Sequence, residues 1–405
     1  MLSILIKIVF FIIIAYTFLL GGALQFFLGL SNTITSALTA VVCLMVYLLI
    51  LLIRRKIIIN PLILFSFVLC SYIILNGLLN QSYYIKIMLY WIYVLIPLGC
   101  YFIIRFSLLT ERDRQRLFKF FLFIASIQLP ILLLQKYGYT YLLNIKATTE
   151  NIAPIDFQFG TFFLKNDHAL GFFLSCMILF LLFNMGHRYI KIFALYLTIT
   201  IFFTNSEISM LLAFLVWTYY IWNVLNYRKI IIALFFSLII IIPVSYYAIN
   251  NLELEGEINQ ISKDLSLDKA QRMYERKEAT RQQTIIVLAH EELKIIGEGP
   301  YTYFDILSGK FYQNPNFSQI IWGYYDLGLV GLIFLFCYII SIYFSIKSRM
   351  RYAPLIFLML CVYALFTNIL ADLAIMITFL IFINQNTLNT KYEPNSNPIP
   401  RLAKN

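Results

Sequence analysis

Apolar runs about as long as a bilayer is thick recur along most of this chain, and that recurrence limits its fold more than any other feature. A helix needs about 20 apolar residues to cross a hydrocarbon core of about 30 Å. Runs of this kind cover 4–20, 34–53, 117–135 and 230–249. Membrane barrels instead alternate over segments of about ten residues, and these runs do not alternate. Composition agrees: of 405 residues, 61% are hydrophobic and only 13% charged, against roughly 25% charged in soluble domains. The expected fold class is all-α, a polytopic transmembrane helix bundle.

The net charge of +11 would suit nucleic acid, but the placement of the basic residues argues against it. They punctuate the apolar runs as Arg54-Arg55-Lys56, Arg105 to Lys119, Arg188 to Lys191, Arg228-Lys229 and Lys347 to Arg351. That is the pattern of cytoplasmic loops between spans. Placing every cluster inside gives about twelve spans with both termini cytoplasmic: 4–28, 34–53, 60–79, 85–104, 117–135, 168–185, 190–204, 208–225, 230–249, 319–346, 353–367 and 369–383. The first run is read as a retained span, since no small-x-small cleavage site follows a short core. The six cysteines all fall within apolar runs, and no CxxC pair marks zinc or a disulfide framework.

The chain therefore divides into nine helices over 1–249, a large extracytoplasmic loop over 250–318, three helices over 319–383, and a cytoplasmic tail over 384–405. The tail is polar, carries three prolines and reads as disordered. A second long outer connection runs from Lys136 to Asp167. The 250–318 loop holds eleven of the twenty acidic residues, so function is expected on the outer side. Within it, Ile285, Leu288, Ala289, Leu293 and Ile296 recur at helical spacing, with Gly297 and Pro300 placed as a stop. This predicts an amphipathic helix on the outer membrane surface. Lys269, Arg272 and Arg276 share one helical face upstream of it.

Three segments, in order, resemble the O-antigen polymerase/ligase superfamily. They are Gly160-Thr161-Phe162 with Asn166-Asp167-His168-Ala169-Leu170-Gly171; Arg281 through Gly297-Glu298-Gly299; and Asn316-Phe317-Ser318 through Asp326-Leu327-Gly328-Leu329-Val330-Gly331. Phe317-Ser318 stands where the family often has His-Asn. Thr204-Asn205-Ser206-Glu207 stands where a Thr-x-Ser-Arg turn is common. Both departures favour the polymerase (Wzy-type) branch over the ligase branch. The resemblance implies a GT-C-like fold in the bacterial inner membrane. The implied reaction joins undecaprenyl-diphosphate-linked repeat units into O-antigen, capsule or exopolysaccharide. A flippase and a chain-length regulator are the implied protein partners.

Such a transfer needs stabilisation of a leaving diphosphate, for which arginine's planar fork is suited, and a base for the attacking hydroxyl. No DxD-type carboxylate pair is present, so nothing visible requires a metal or other cofactor. Arg281 is the expected diphosphate contact, with lipid-headgroup anchoring as its competing role. Arg272 and Arg276 are further candidates, although charge runs are usually solvated faces. Ionisable residues within spans are costly and point to function; Asp326, Glu207, Asp372 and Lys86 qualify. Asp372 has a basic partner in the bundle as its competing role. With Arg281, the catalytic candidates are Asp326, Glu207 and His168, the last a possible acid/base group. Glu298, His290, Tyr301 and Tyr303 are candidates for binding sugar. For His290 a solvated surface role is favoured, and for the tyrosines ordinary interfacial anchoring. The rival readings are a ligase, a lipid-linked oligosaccharide flippase or other transporter, and a non-catalytic assembly partner.

Overall fold

The computed structural model describes residues 2–30, 38–39, 41–42, 45–48, 60–106, 109–148, 152, 157–185, 188–224, 293–303, 318–346 and 351–384. Of these, 81% are helical and none is in a strand. Six helices are long and apolar enough to cross a membrane: Ile4–Leu28, Pro61–Leu79, Tyr84–Arg105, Glu111–Tyr137, Asp167–Asn184 and Gln319–Ser345. The chain is a membrane-embedded, multi-pass helical protein. The expected spans 34–53 and 230–249 lie outside the described residues, apart from a few helical positions between 38 and 48.

The first span is α1 (Leu2–Ala15), a π-helical stretch over Tyr16–Leu20, and α2 (Gly21–Leu28). Helices α3 (Pro61–Leu79) and α4 (Tyr84–Phe106) form a hairpin closed by the turn at Asn80. Asn60 caps α3 by accepting the Ile63 amide at 2.9 Å, with Pro61 at the first helical position. α5 (Glu111–Tyr137) starts at a capping box made by Thr110 and Asp113. This places its first residue well before the expected 117. A short α6 (Tyr139–Asn144) follows, then α7 (Asp167–Asn184), α8 (Arg188–Phe202) and α9 (Glu207–Val224). The C-terminal part comprises α10 (Gln319–Ser345), α11 (Ala353–Phe366) and α12 (Leu373–Ile383).

The core sits around α7 and α12. All eleven residues of α12 are buried, and α7 is the most enclosed of the long spans, with 78% of its apolar window buried. At 1.5 Å per residue, α12 is about 16 Å long and α11 about 21 Å. Neither matches a core of about 30 Å. The turn between them, Thr367 to Asp372, is level with the N-terminus of α10, where the Gln319 amide bonds Thr367. Span twelve had been expected to begin at 369; it begins at Leu373 because Asp372 caps it, accepting the Ile375 amide at 3.0 Å.

The two ends of the bundle differ in charge. At one end Lys7 pairs with Asp113 at 2.9 Å, Tyr101 reaches the Ser345 carbonyl, Asn184 bonds Tyr352, and Tyr219 bonds the Arg351 carbonyl. Every arginine among the described residues, namely Arg105, Arg112, Arg114, Arg116, Arg188 and Arg351, belongs to helix ends on this side. Among the described residues, the opposite end holds Asp167, Glu207, Glu298, Asp326 and Asp372, with lysines as its only strong bases. Irregular backbone is concentrated at this second, polar end.

Candidate functional site

Helix α10 is broken. Gly328 sits at φ 70°, ψ −172° between two helical halves, a region open essentially to glycine alone. The segment Lys294 to Gly299 runs through the gap. The amides of Glu298 and Gly299 each donate at 3.0 Å to the carbonyls of Tyr325 and Asp326, which end the first half. The amides of Leu329 and Val330, which open the second half, donate to the carbonyls of Lys294 and Ile295 at 2.9 and 3.2 Å. Both halves thus have their loose backbone groups satisfied by one strand-like segment, as lipid-depth backbone must. The amphipathic periodicity had extended a helix to Ile296. Leu293 to Ile296 are not helical: α10 takes the carbonyls of Lys294 and Ile295, and α3 takes that of Ile296. The rest of that expected helix lies outside the described residues.

Three polar side chains of α3, at a spacing of four, clamp this segment from the other side. Tyr72 donates to the carbonyls of Leu327 (2.8 Å) and Ile296 (3.3 Å), Asn76 to that of Ile296, and Asn80 to that of Gly297 (3.3 Å). Gly297 has φ 85°, and a Cβ there would collide with the Gly328 backbone. The two glycines make this close crossing possible.

Asp326 lies at 0% exposure just before the break. Its two carboxylate oxygens accept the amides of Tyr303 at 2.7 Å and Tyr301 at 3.1 Å, so it shapes the turn after the Gly-Glu-Gly segment. Aromatic rings enclose it. Trp322 lies 4.7 Å from the Tyr90 ring and 4.8 Å from that of Tyr93, and Tyr93 and Tyr301 meet through their side chains. Tyr303 is 2% exposed and packs edge-on against Tyr325. Glu298 is half exposed and paired with Lys294 at 2.5 Å, whose ammonium also sits 4.7 Å above the Tyr325 ring.

The Gly160-Thr161-Phe162 motif builds the second irregular stretch. It had been expected in an outer connection, but residues 157–164 are almost entirely buried against α2, α5 and α7. Three glutamines make that burial affordable. Gln135 holds both the amide and the carbonyl of Gly160 at 2.9 Å, Gln128 accepts the Thr161 amide at 3.0 Å, and Gln25 accepts the Leu164 amide at 2.8 Å. The Thr161 hydroxyl donates at 2.6 Å to the Phe18 carbonyl, inside the π-helical stretch.

This stretch delivers Asn166, Asp167 and His168 to the start of α7, against the turn that joins α11 to α12. His168 Nε2 lies 3.1 Å from Thr367 Oγ1, and Nδ1 lies 3.5 Å from Asp167 Oδ1. Asp372, in the same turn as Thr367, takes a hydrogen bond from the Asn166 side chain. Tyr363 stacks obliquely 6.5 Å from the imidazole and exchanges a 2.9 Å hydrogen bond with Ser209 of α9. The N-terminus of α10 joins this cluster to the broken helix: the Gln319 amide donates to the Thr367 carbonyl at 3.1 Å. Asp326 follows about 10 Å further along α10, at 1.5 Å per residue.

The structure thus gathers His168, Asp326, Glu298, Tyr301 and Tyr303 at one end of the bundle. Glu207 is at the same end, exposed at the first position of α9. Its neighbours in the turn do connect, Asn205 donating to Gln158 at 2.6 Å and Ser206 accepting from Ser209 at 2.8 Å. Lys86 opens α4 on this side. Arg272, Arg276, Arg281 and His290 lie outside the described residues. Among the described residues no three His, Cys, Asp or Glu side chains converge as a metal site requires. Sequence reasoning missed Tyr72, Asn76, Asn80, the three glutamines, Tyr363 and Thr367. Its available signal was Asn or Gln repeated on one face of an apolar helix, costly there unless partnered. No family model, curated protein or solved structure matches the chain.

Proposed function

We propose that this protein polymerises undecaprenyl-diphosphate-linked oligosaccharide repeat units into O-antigen, capsule or exopolysaccharide at the outer face of the bacterial inner membrane. One observation carries the reading: the half-buried His168 cluster meets the N-terminus of α10, and the 294–299 segment of the large 250–318 loop crosses the same helix about 10 Å further on. In this reading the loop that bears Arg281 works together with the imidazole of His168. The fold in this reading is a twelve-span, GT-C-like bundle. Its arginine-bearing end faces the cytoplasm, so both termini are cytoplasmic and the polar end meets the lipid-linked substrates.

The reaction moves a glycan from one lipid diphosphate to a hydroxyl of another lipid-linked unit. The hydroxyl oxygen attacks the anomeric carbon, and the carbon–oxygen bond to the diphosphate breaks. The electron pair leaves on the diphosphate oxygen. Arg281 answers that charge with its paired donors, helped by Arg272 and Arg276. His168 accepts the hydroxyl proton. Glu298, with its partly exposed carboxylate, offers an acceptor to sugar hydroxyls. Asp326, whose oxygens are both engaged by backbone amides, acts here as a positioning residue, and buried Tyr303 packs the same turn.

A second reading has one observation in its favour. Broken helices that leave irregular backbone at membrane depth are a device of transporters, and α10 is such a helix. A lipid-linked oligosaccharide flippase would use it. Cells lacking the gene, complemented with wild type, Arg281→Ala or His168→Ala at matched membrane levels, separate the two on a surface-polysaccharide gel. The polymerase reading expects single-repeat glycans in the deletion strain, a ladder with wild type, and none with either variant. A normal ladder in the deletion strain refutes it. Lipid-linked repeats trapped on the cytoplasmic face select the flippase.

A further inference from the structure

Both nitrogens of the His168 imidazole lie against named groups. Nδ1 is 3.5 Å from a carboxylate oxygen of Asp167, and Nε2 is 3.1 Å from the hydroxyl oxygen of Thr367. A neutral imidazole carries one N–H, and a carboxylate can only accept. The proton therefore belongs on Nδ1, facing Asp167, and Nε2 is left as the acceptor. Thr367 then donates its hydroxyl to Nε2, so the nitrogen that is to take a substrate proton is already covered by a hydroxyl of this chain. The backbone fixes that hydroxyl in place: the Thr367 amide donates to the Tyr363 carbonyl at 2.8 Å, and its carbonyl accepts the Gln319 amide at 3.1 Å. A hydroxyl that donates its proton keeps lone pairs to accept with. Thr367 is partly exposed, and a quarter of the His168 side chain is exposed too, which gives a substrate hydroxyl a way in. The neighbouring hydroxyl, that of Tyr363, is engaged with Ser209 at 2.9 Å.

We infer that Thr367 is a catalytic proton relay, its hydroxyl taking the proton of the attacking sugar hydroxyl as it passes its own to His168 Nε2. This rests on the polymerase reading. The attacking oxygen bonds the anomeric carbon, the carbon–oxygen bond to the diphosphate breaks, and its electron pair leaves on the diphosphate oxygen. The imidazolium so formed is answered by the Asp167 carboxylate, which also holds the tautomer. It then gives its proton to water, and Thr367 ends as the hydroxyl it began as.

The test uses the full chain, purified in lipid nanodiscs, extending a lipid-linked repeat unit in single turnovers. Thr367→Val, which keeps side-chain shape, is expected to lower the rate at saturating substrate by about 100-fold or more, with apparent affinity little changed. Thr367→Ser, which keeps the hydroxyl, restores most of the rate. Thr367→Asn still offers the imidazole a donor but cannot take one proton while giving another, so it stays as slow as Thr367→Val; a residue that merely held the ring would tolerate it. The Thr367→Val and His168→Ala double variant falls no further than the slower single, since the two act as one path. In mixtures of H2O and D2O the wild-type rate follows a curve, because the substrate proton and the threonine proton move together, and the Thr367→Val rate follows a straight line. The wild-type curve needs no variant to fold. A straight line for wild type, an unchanged rate in Thr367→Val, or full activity in Thr367→Asn overturns the relay alone. No polymerisation by wild type overturns the function beneath it, and the relay with it.

Discussion

Asp326 and Gln135 do the same work with different chemistry. Each supplies acceptors or donors to backbone that has left regular structure at a depth where water cannot help. Removing the Asp326 carboxylate leaves the Tyr301 and Tyr303 amides without an acceptor. An orphaned buried donor costs about 1–3 kcal/mol, so Asp326→Ala is expected to destabilise the protein by a few kcal/mol. Asp326→Asn falls between, because an amide oxygen serves one donor while its NH2 group confronts the other. Thermal unfolding in detergent reads both, and faster tryptic cleavage after Lys294 shows that the lost stability is local. Gln135→Leu is expected to cost about as much, since Gly160 loses the partner of both its amide and its carbonyl. Unchanged melting in Gln135→Leu would mean that the 157–164 segment is held some other way.

Between elements, the crossing of α10 by the 294–299 segment depends on two glycines acting as one contact. A side chain at Gly328 has to occupy a positive φ and meet the Ile295 carbonyl, and one at Gly297 meets the Gly328 backbone. Gly328→Ala and Gly297→Ala are each expected to release the segment, seen as rapid proteolysis at Lys294 and loss of activity. The double variant should add little to either single, because the contact can be lost only once; additive losses would separate the two glycines. Helix starts such as Asn60-Pro61 and Thr110 with Asp113 were legible in the sequence, since a cap is a local event written in neighbouring residues. The crossing was not. Leu293 and Ile296 have helical spacing, and nothing local says that α10, some thirty residues later, needs the carbonyls of Lys294 and Ile295 between them. The burial of Gly160-Thr161-Phe162 was equally hidden, because it depends on Gln25, Gln128 and Gln135 from distant helices. His168 was legible as a polar residue opening a span, whereas its hydrogen-bond partner Thr367 comes from the far end of the chain.

At the scale of the whole molecule, the same charge pattern that gave the spans now belongs to one face of a bundle. Arginines occupy one end among the described residues, and acidic groups balanced by lysine occupy the other. Helix order was recoverable because span length and basic clusters are repeated signals. The complete burial of α12 was not, because an apolar run does not reveal that its helix is shielded by protein instead of lipid. The positive-inside rule for short loops predicts that the arginine end is cytoplasmic, and the proposed polymerase needs that orientation for its His168 cluster to meet substrate outside the cell. Tyr83, Tyr141 and Tyr189 are exposed by 75%, 71% and 82%, the first two at the polar end and the third at the arginine end. Introduced singly into a variant without the native cysteines, Tyr83→Cys and Tyr141→Cys are expected to react with a membrane-impermeant maleimide on intact spheroplasts. Tyr189→Cys should react only after the membrane is opened. The reverse pattern would put the arginines outside and the imidazole cluster on the cytoplasmic side, where a polymerase acting on exported repeat units has no substrate. Labelling of all three from outside would mean that one of the helices between them does not cross.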